Sequence, residues 1–158
     1  MPRHDPPRLA SFSYLGFYRY FVTLRTSPRR AVFVSEAAVA PVCTQLRTTA
    51  REQQFAIFAY CFMRDHLHVL LEGLSEGADF RHMMMLFKQA SAYHFRRTTG
   101  QRLWGPGYYE RVLRDDEASV ATARYIFQNP VRGGLALRIE EYPYLGSDVL
   151  SLADIIAG

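Results

Sequence analysis

The stretch FAIFAYCFMRDHLHVLLEG, residues 55–73, decides the fold class. Residues 55–62 are apolar and largely aromatic, and residues 66–73 form a second apolar segment after the break Met63-Arg64-Asp65. Two short apolar segments joined by a few polar residues are typical of a β-hairpin. The chain is therefore predicted to contain an antiparallel sheet with this hairpin inside it.

The segments on either side of the hairpin alternate between strand and helix. Residues 18–25 are dense in aromatic and β-branched side chains, which predicts a strand, and residues 35–53 repeat apolar side chains at helical spacing. After the hairpin, a stripe at i, i+3, i+4 and i+7 predicts a helix within residues 77–100. Residues 108–114 then predict a further strand.

A last helix is predicted over residues 116–128, because Asn129-Pro130 and the following Gly133-Gly134 are typical helix-stop signals. The element order β-α-β-β-α-β-α predicts one α+β domain. Its first six elements match the ferredoxin-like arrangement of an antiparallel sheet.

The length of 158 residues fits one domain. We expect a poorly ordered arm over residues 1–13, the domain over 14–145 and a tail over 146–158. No apolar run approaches the roughly 20 residues that cross a bilayer, and the first residues contain neither a signal peptide nor a lipidation signal. These features predict no membrane partner and a cytoplasmic protein.

The chain is moderately basic, with 19 Lys and Arg against 15 Asp and Glu, and Lys88 is its only lysine. Arginine grips phosphate bidentately and stacks on bases, so arginines together with 10 Tyr and 11 Phe are compatible with a nucleic-acid partner. Genomic base composition is an equally good explanation of the arginines. Cys43 and Cys61 lie in different predicted elements and are interpreted as buried thiols.

His66-Leu67-His68 is the sharpest candidate site. A period of two along a strand places both imidazoles on one face, while Leu67 points to the other. Two imidazoles and one oxygen ligand can hold a divalent metal ion and leave positions open for substrate or water. The alternative is that both histidines are only polar residues on a solvent face.

Tyr125 is the second candidate. In the predicted last helix it lies off the packing stripe of Val120, Ala123 and Phe127, and Asn129 follows it one turn later on the same face. A phenol that attacks phosphorus needs a cation at the scissile phosphate, and the two imidazoles could hold one. Spacing alone leaves a packing role for Tyr125 open, and Tyr108 and Tyr109 compete with it as nucleophiles.

The residues so far resemble one known family. Four ordered blocks carry the resemblance: YFVTLR at residues 20–25, MRDHLHVL at 63–70, LW at 103–104 with YYERVLRD at 108–115, and YIFQNPVRGGL at 125–135. Together they resemble the REP-associated tyrosine transposases, which are single-tyrosine HUH transposases of the insertion-sequence type. The resemblance covers residues 18–144.

The resemblance implies a role for each matching position. His66 and His68 match the metal-holding histidines of the family, and Tyr125 matches the tyrosine that attacks the DNA backbone. Asn129 matches the polar residue that completes the metal site, with Gln128 as the alternative third ligand. The implied fold is the ferredoxin-like HUH endonuclease sheet followed by a C-terminal helix that carries the tyrosine.

The implied reaction is cleavage of single-stranded DNA, which leaves a 5′-phosphotyrosine and a free 3′-hydroxyl and then reverses onto another end. The implied substrate is hairpin DNA of the REP type beside a short single strand, and the implied cofactor is Mg²⁺ or Mn²⁺. Mg²⁺ prefers oxygen ligands, so a two-histidine site fits Mn²⁺ at least as well. Neither the metal nor the oligomeric state, monomer or homodimer, is decided by the sequence.

Several further residues are candidates for DNA contacts. Those that could bind the backbone are Arg19, Arg25, Arg111, Arg114, Arg124 and Arg132. Trp104 could stack on an unpaired base, although a lone Trp before a strand is more often a core anchor. Glu72 could orient the histidines or be a solvated strand-end charge.

Two other function classes compete with the transposase. One is a module of the same fold that binds hairpin DNA or RNA without cutting it. The other is a metal-dependent phosphodiesterase that releases its product through water. A stable covalent adduct on tyrosine would separate the transposase from both.

Overall fold

Five antiparallel strands form one sheet, and helices lie on both of its faces. The computed structural model describes residues 12–114 and 116–157. The elements in chain order are β1 (Arg19–Arg25), α1 (Glu36–Glu52), β2 (Phe55–Phe62), β3 (His66–Gly73), α2 (Phe80–Thr99), β4 (Tyr109–Leu113), α3 (Asp116–Arg132), a 3₁₀ turn (Ile139–Glu141), β5 (Leu145–Gly146) and α4 (Leu152–Ala157). The predicted α+β class and the predicted hairpin are confirmed.

β1 lies inside the sheet, whose strand order is β4-β1-β3-β2-β5. Its two ladders pair Thr23 with His68 of β3 on one side and with Tyr109 of β4 on the other. In the same register Arg25 faces His66. Because side chains alternate between faces, these pairs fix which residues of three strands share one side of the sheet.

Each face of the sheet has its own apolar core. Tyr20, Val22 and Leu24 of β1 are buried in the larger cluster, which also contains apolar residues of α1 and α2. Phe21 and Leu70 belong to the second cluster, beside the α3 residues Ala123, Ile126 and Phe127. Cys43 and Cys61 are free buried thiols, as predicted.

α1 and α2 begin where a side-chain oxygen accepts a hydrogen bond from one of their first backbone amides. Ser35 accepts a hydrogen bond from the amide of Ala38 at the start of α1, and Asp79 accepts one from His82 at the start of α2. No helix within the described ranges is long and apolar enough to span a membrane.

α3 is longer than the sequence indicates. The prediction that it stops at residue 128 is wrong, because the helix continues through Pro130 to Arg132. A proline in the last turn removes one helical hydrogen bond without ending the helix. The end is closed by the Gly133 amide, which donates to the Asn129 carbonyl, and by Gly134 in the left-handed region at a φ of 74°.

The C-terminal residues pack against α3 and β2. Ile155 of α4 is fully buried, and Arg124 Nε donates to its carbonyl at 3.0 Å. The boundary predicted between residues 145 and 146 falls inside β5. The predicted arm lies mostly outside the described residues, but Phe12 packs edge-on against Tyr14 and Tyr18.

Gly73 provides a test of the fold. A Cβ at this position would lie 1.9 Å from the carbonyl oxygen of Gly16, whereas a Cβ at Gly77 would meet nothing within 4 Å. Gly73→Ala must therefore push two backbones apart, and we expect it to lower the free energy of unfolding by about 2 to 3 kcal/mol. Gly77→Ala is the matched control. Equal urea midpoints for the two variants would contradict this packing.

Candidate active site

A cleft of about 730 Å³ opens on the face of the sheet that carries α3. It is named the histidine cleft here. Residues of β1, β3, β4, α3 and the loop after β1 line it: Phe21, Thr23, Arg25, Arg29, His66, His68, Tyr109, Arg111, Ala121, Thr122 and Tyr125. Both predicted histidines and the predicted tyrosine thus border one cavity.

The two histidines face each other at the start of β3. Their Nε2 atoms are 3.1 Å apart, and the rings meet edge to face. His66 Nδ1 lies 2.6 Å from Asp65 Oδ1, and His68 Nδ1 lies 2.9 Å from Thr23 Oγ1. Because a carboxylate only accepts hydrogen bonds, His66 carries its proton on Nδ1 and presents an unprotonated Nε2.

Burial keeps both imidazoles neutral. It lowers the pKa of His66, although the Asp65 carboxylate opposes the shift, and it lowers the pKa of His68 to about 3, a shift to which the positive charges of Arg132 and Arg25 also contribute. Hydrogen bonds from His66 and Arg29 lower the pKa of Asp65 despite its partial burial. Neutral imidazoles beside an ionised carboxylate are the protonation states in which histidines bind a metal ion.

The donor set fits a divalent transition metal. Nitrogen ligands bind such ions at about 2.1 Å, so two of them in adjacent positions on one octahedral ion stand about 3 Å apart. The observed separation of 3.1 Å between the Nε2 atoms meets that requirement. Within residues 12–114 and 116–157, no group of three His, Cys, Asp or Glu side chains could hold a metal.

Tyr125 projects from α3 at the edge of the cleft. Its side chain is 50% exposed, whereas its neighbours Ile126 and Phe127 are buried against the sheet. Its ring meets Phe21 edge-on at 6.4 Å, and Phe21 in turn stacks on His68 at 5.6 Å between ring centroids. The predicted position of Tyr125 off the packing stripe is confirmed.

The two candidates for the third ligand lie on the same helix outside the lining of the cleft. Asn129 Nδ2 donates to the Tyr125 carbonyl at 3.4 Å, which leaves Oδ1 as the ligand atom that the prediction requires. Gln128 Oε1 accepts a hydrogen bond from Arg132. The hydrogen bond of Gln128 uses its oxygen and that of Asn129 does not, which favours Asn129 over Gln128 as the third ligand. Its role as a ligand stays a prediction.

The competing tyrosines are separated by the sheet. Tyr109 lines the histidine cleft and is 36% exposed, so it remains a second phenol within the site. Tyr108 packs on the opposite face, edge-on to Phe80 at 5.9 Å. Only Tyr109 therefore competes with Tyr125 on position.

The six nominated arginines have different surroundings. Arg25 and Arg111 line the cleft, and Arg111 also lies over the ring of Phe21 at 5.8 Å. Arg132 stacks on the ring of Tyr125 at 4.1 Å and donates to its carbonyl. The other three do not line the cleft. Arg19 forms an ion pair with Glu72, Arg124 donates a hydrogen bond to the Ile155 carbonyl, and Arg114 borders a neighbouring cavity.

Trp104 is a core anchor. It is 4% exposed, and its indole nitrogen donates to Ser91 Oγ at 2.9 Å on the face of the sheet opposite the cleft. The stacking alternative is wrong for this conformation because neither face of the indole is accessible to a base. Glu72 pairs with Arg19 at 3.0 Å, which makes it an ion-pair partner and not an orienter of the histidines.

Three residues of the site were not found from the sequence. Asp65 bridges His66 and Arg29, whose Nε lies 2.6 Å from Asp65 Oδ2, and Thr23 holds His68. The position of Asp65 directly before the His-x-His pair was a usable signal. The pairing of β1 with β3 brings Thr23 to the site, and the loop after β1 brings Arg29 to it. Neither can be predicted from the spacing of residues along the chain.

Known proteins resemble this chain in sequence and in fold. A Haemophilus influenzae protein named as a REP-associated tyrosine transposase is 24% identical over 147 residues, which cover 84% of this chain and 80% of that protein. A solved REP-associated tyrosine transposase bound to a REP hairpin superposes with a TM-score of 0.74 at 19% identity, over 90% of this chain and 82% of that one. The predicted resemblance is confirmed.

A second solved structure has the same fold. A Deinococcus radiodurans protein named as a transposase superposes with a TM-score of 0.54 at 23% identity, over 78% of this chain and 97% of that one. The sequence family described as "Transposase IS200 like" matches residues 17–129, which include the His-x-His pair, Tyr125 and Asn129. The chain therefore belongs to the IS200-like transposase family.

Proposed function

We propose that this chain is a metal-dependent single-stranded DNA endonuclease and strand transferase that acts on hairpin-forming DNA through a phosphotyrosine intermediate. The observation that supports this most is the convergence of Tyr125, His66 and His68 on one cleft. The solved transposase that shares the fold is bound to a REP hairpin, which supports hairpin DNA as the partner.

Tyr125 is the nucleophile in this proposal. Its phenolic oxygen attacks phosphorus, and a bond from tyrosine to the 5′-phosphate forms as the bond from phosphorus to the 3′-oxygen breaks. The phenol loses its proton and the departing oxygen gains one, which leaves a free 3′-hydroxyl. The half exposure of Tyr125 leaves its hydroxyl accessible to a DNA strand that enters from solvent.

His66 and His68 hold the divalent ion, with Asn129 as the proposed third ligand. Such an ion, Mn²⁺ or Mg²⁺, would polarise the scissile phosphate and neutralise charge that develops on it. Asp65 and Thr23 hold the two rings at their Nδ1 atoms, which keeps the Nε2 atoms 3.1 Å apart on the side of the cleft. The chain thereby supplies a preorganised pair of neutral ligands.

Arg25 and Arg111 bind the DNA backbone beside the reacting phosphate. Both guanidinium groups line the cleft on neighbouring strands, where they can grip phosphate oxygens bidentately. Because the phosphotyrosine retains the energy of the broken ester, attack by another 3′-hydroxyl rejoins strands without ATP. This reversal makes the enzyme a strand transferase.

Tyr125→Phe tests the nucleophile. We expect the variant to form no covalent adduct with labelled single-stranded hairpin DNA in the presence of Mn²⁺, because it lacks the attacking oxygen, and to keep its hairpin affinity. Adducts are measured on a denaturing gel. Tyr109→Phe is the matched control from the same cleft and should form adducts normally; loss of adducts in this variant alone would reassign the nucleophile.

The same gel separates the alternative functions. Hairpin binding by the unmodified chain without any adduct would support a non-cleaving binding module. Cleavage without a protein-linked product would instead support a phosphodiesterase that uses water.

His68→Ala tests the metal site. We expect it to abolish Mn²⁺-supported cleavage by removing one of two nitrogen ligands, and to remove the Mn²⁺ binding measured by titration calorimetry. His82→Ala changes an exposed histidine on α2 and should leave both readouts unchanged. If His68→Ala binds and uses Mn²⁺ like the unmodified chain, both histidines have only a structural role.

Thr23→Val tests the residue that holds His68. The variant keeps the shape of Thr23 but loses the hydroxyl 2.9 Å from His68 Nδ1, so we expect Mn²⁺ affinity to fall about tenfold. Thr23→Ser keeps the hydroxyl and should bind Mn²⁺ nearly normally. Equal calorimetric affinities for the two variants would show that this hydrogen bond does not orient the ligand.

A further inference from the structure

The exposed face of α3 ends in an arginine that folds back onto Tyr125. Tyr125, Asn129 and Arg132 follow one another at i, i+4 and i+7, a spacing that places side chains on one face of a helix. Tyr125 and Arg132 are both exposed. The orientation of the tyrosine ring therefore depends on the few contacts that it makes with other side chains.

The guanidinium group of Arg132 contacts Tyr125 at two points. Its central carbon, Cζ, lies 4.1 Å from the centroid of the ring, and Nη2 donates to the Tyr125 carbonyl at 2.9 Å. Nη1 donates to Gln128 Oε1 at 3.3 Å, which ties the same group to the turn between them. These contacts of Arg132 with Tyr125 and Gln128 are named the arginine clamp here. None of its hydrogen bonds uses the phenolic hydroxyl.

The end of α3 fixes the backbone from which Arg132 projects. The Leu135 amide donates to the Pro130 carbonyl at 2.8 Å, and the Gly134 amide donates to the Val131 carbonyl at 3.1 Å. With Gly134 in the left-handed region, these two bonds form a Schellman motif. The guanidinium group of Arg132 is therefore attached to an ordered helix end, where a positive charge also complements the helix dipole.

The sheet supplies a second contact to the same ring. Phe21 meets the Tyr125 ring edge-on at 6.4 Å between centroids. The charge of Arg132 also acts at the metal site, since it contributes to the lowered pKa of His68. The ring of Tyr125 is thus held between its own helix and the strand that borders the histidines.

A role in binding the DNA backbone explains these contacts less well. An arginine that binds phosphate presents its N–H groups to solvent, where phosphate oxygens can reach them. In Arg132, Nη1 and Nη2 each donate to an acceptor of α3, and the guanidinium group lies over the Tyr125 ring. The contacts are directed at the nucleophile and not away from the protein.

We propose that Arg132 is a positioning residue for the nucleophile, because its guanidinium group holds the Tyr125 ring in the orientation from which the phenolic oxygen attacks. The inference rests on the proposed function, since it assumes that Tyr125 attacks the scissile phosphate. A displacement of reacting atoms by about 1 Å can cost about 100-fold in rate. Arg132 thus controls the rate of attack and not the affinity for DNA.

Arg132→Met tests the arginine clamp by separating rate from affinity. We expect the rate of adduct formation at saturating hairpin DNA and Mn²⁺ to fall at least about tenfold, because methionine has no donor and no charge to hold the ring. Hairpin affinity, measured by fluorescence anisotropy, should stay unchanged. An unchanged rate would overturn the proposal. A normal rate with weaker affinity, and a salt slope lower by about one, would overturn it in favour of a backbone contact.

Arg97→Met is the matched control. Arg97 also lies over a tyrosine ring of its own helix, at 5.7 Å from the centroid of Tyr93, and the variant removes the same charge from the chain. Both residues belong to α2, which packs on the face of the sheet opposite the histidine cleft. The rate of adduct formation and the hairpin affinity should therefore both stay normal.

A spectroscopic measurement tests the same contact without DNA or metal. In a chain labelled with 3-fluorotyrosine, the ¹⁹F signal of Tyr125 is the one that disappears in Tyr125→Phe. We expect Arg132→Met to shift or broaden this signal, because the ring loses the guanidinium group over its face. Arg97→Met should leave it unchanged. A Tyr125 signal that is identical in the unmodified chain and in Arg132→Met would overturn the arginine clamp.

The two measurements distinguish failure of this inference from failure of the proposed function. Adducts that form equally fast in the unmodified chain and in Arg132→Met would leave the transferase intact and overturn only the positioning role. A shifted Tyr125 signal in a chain that forms no adducts would support the arginine clamp and overturn only the transferase.

Discussion

The antiparallel ladder between β1 and β3 is the constraint on which the site depends. It sets Thr23 opposite His68 and Arg25 opposite His66, and thereby brings a hydroxyl and a guanidinium group to the two imidazoles. A shift of one residue would send the histidines to the opposite face, among α1 and α2, while Leu67 and Val69 would face α3. Burial of Leu67 and Val69 in the larger core therefore specifies the register that assembles the cleft.

Much of the fold and the centre of the site could be predicted from local pattern. Alternation placed His66 and His68 together, and helical spacing placed Tyr125 off the packed stripe, because both inferences need only the geometry of one element. Contacts between different elements could not be predicted from local sequence pattern. Thr23 and Arg29 are remote from the histidines in the chain, and Pro130 ends a helix in isolation but is accommodated here in a final turn packed on the sheet.

The arginines show why composition is weak evidence for a binding surface. One guanidinium group neutralises Glu72, another ties α3 to the carbonyl of Ile155, and a third stacks on Tyr125. These contacts are internal to the fold, even though the same residues read as basic surface in the sequence. Those that line the histidine cleft, Arg25 and Arg111, are distinguished by their position along the strands beside the histidines and not by their residue type.

The short β5 has a consequence for colloidal behaviour. β2, FAIFAYCF, contains no charged residue, and an uncharged apolar strand with a bare edge would template pairing with other chains. Hydrogen bonds from the C-terminal residues cover that edge, since the Phe62 amide donates to the Tyr144 carbonyl and the Asp148 amide to the Ile57 carbonyl, with β5 paired between them. The C-terminal segment thus blocks the edge of β2 from pairing with a strand of another molecule.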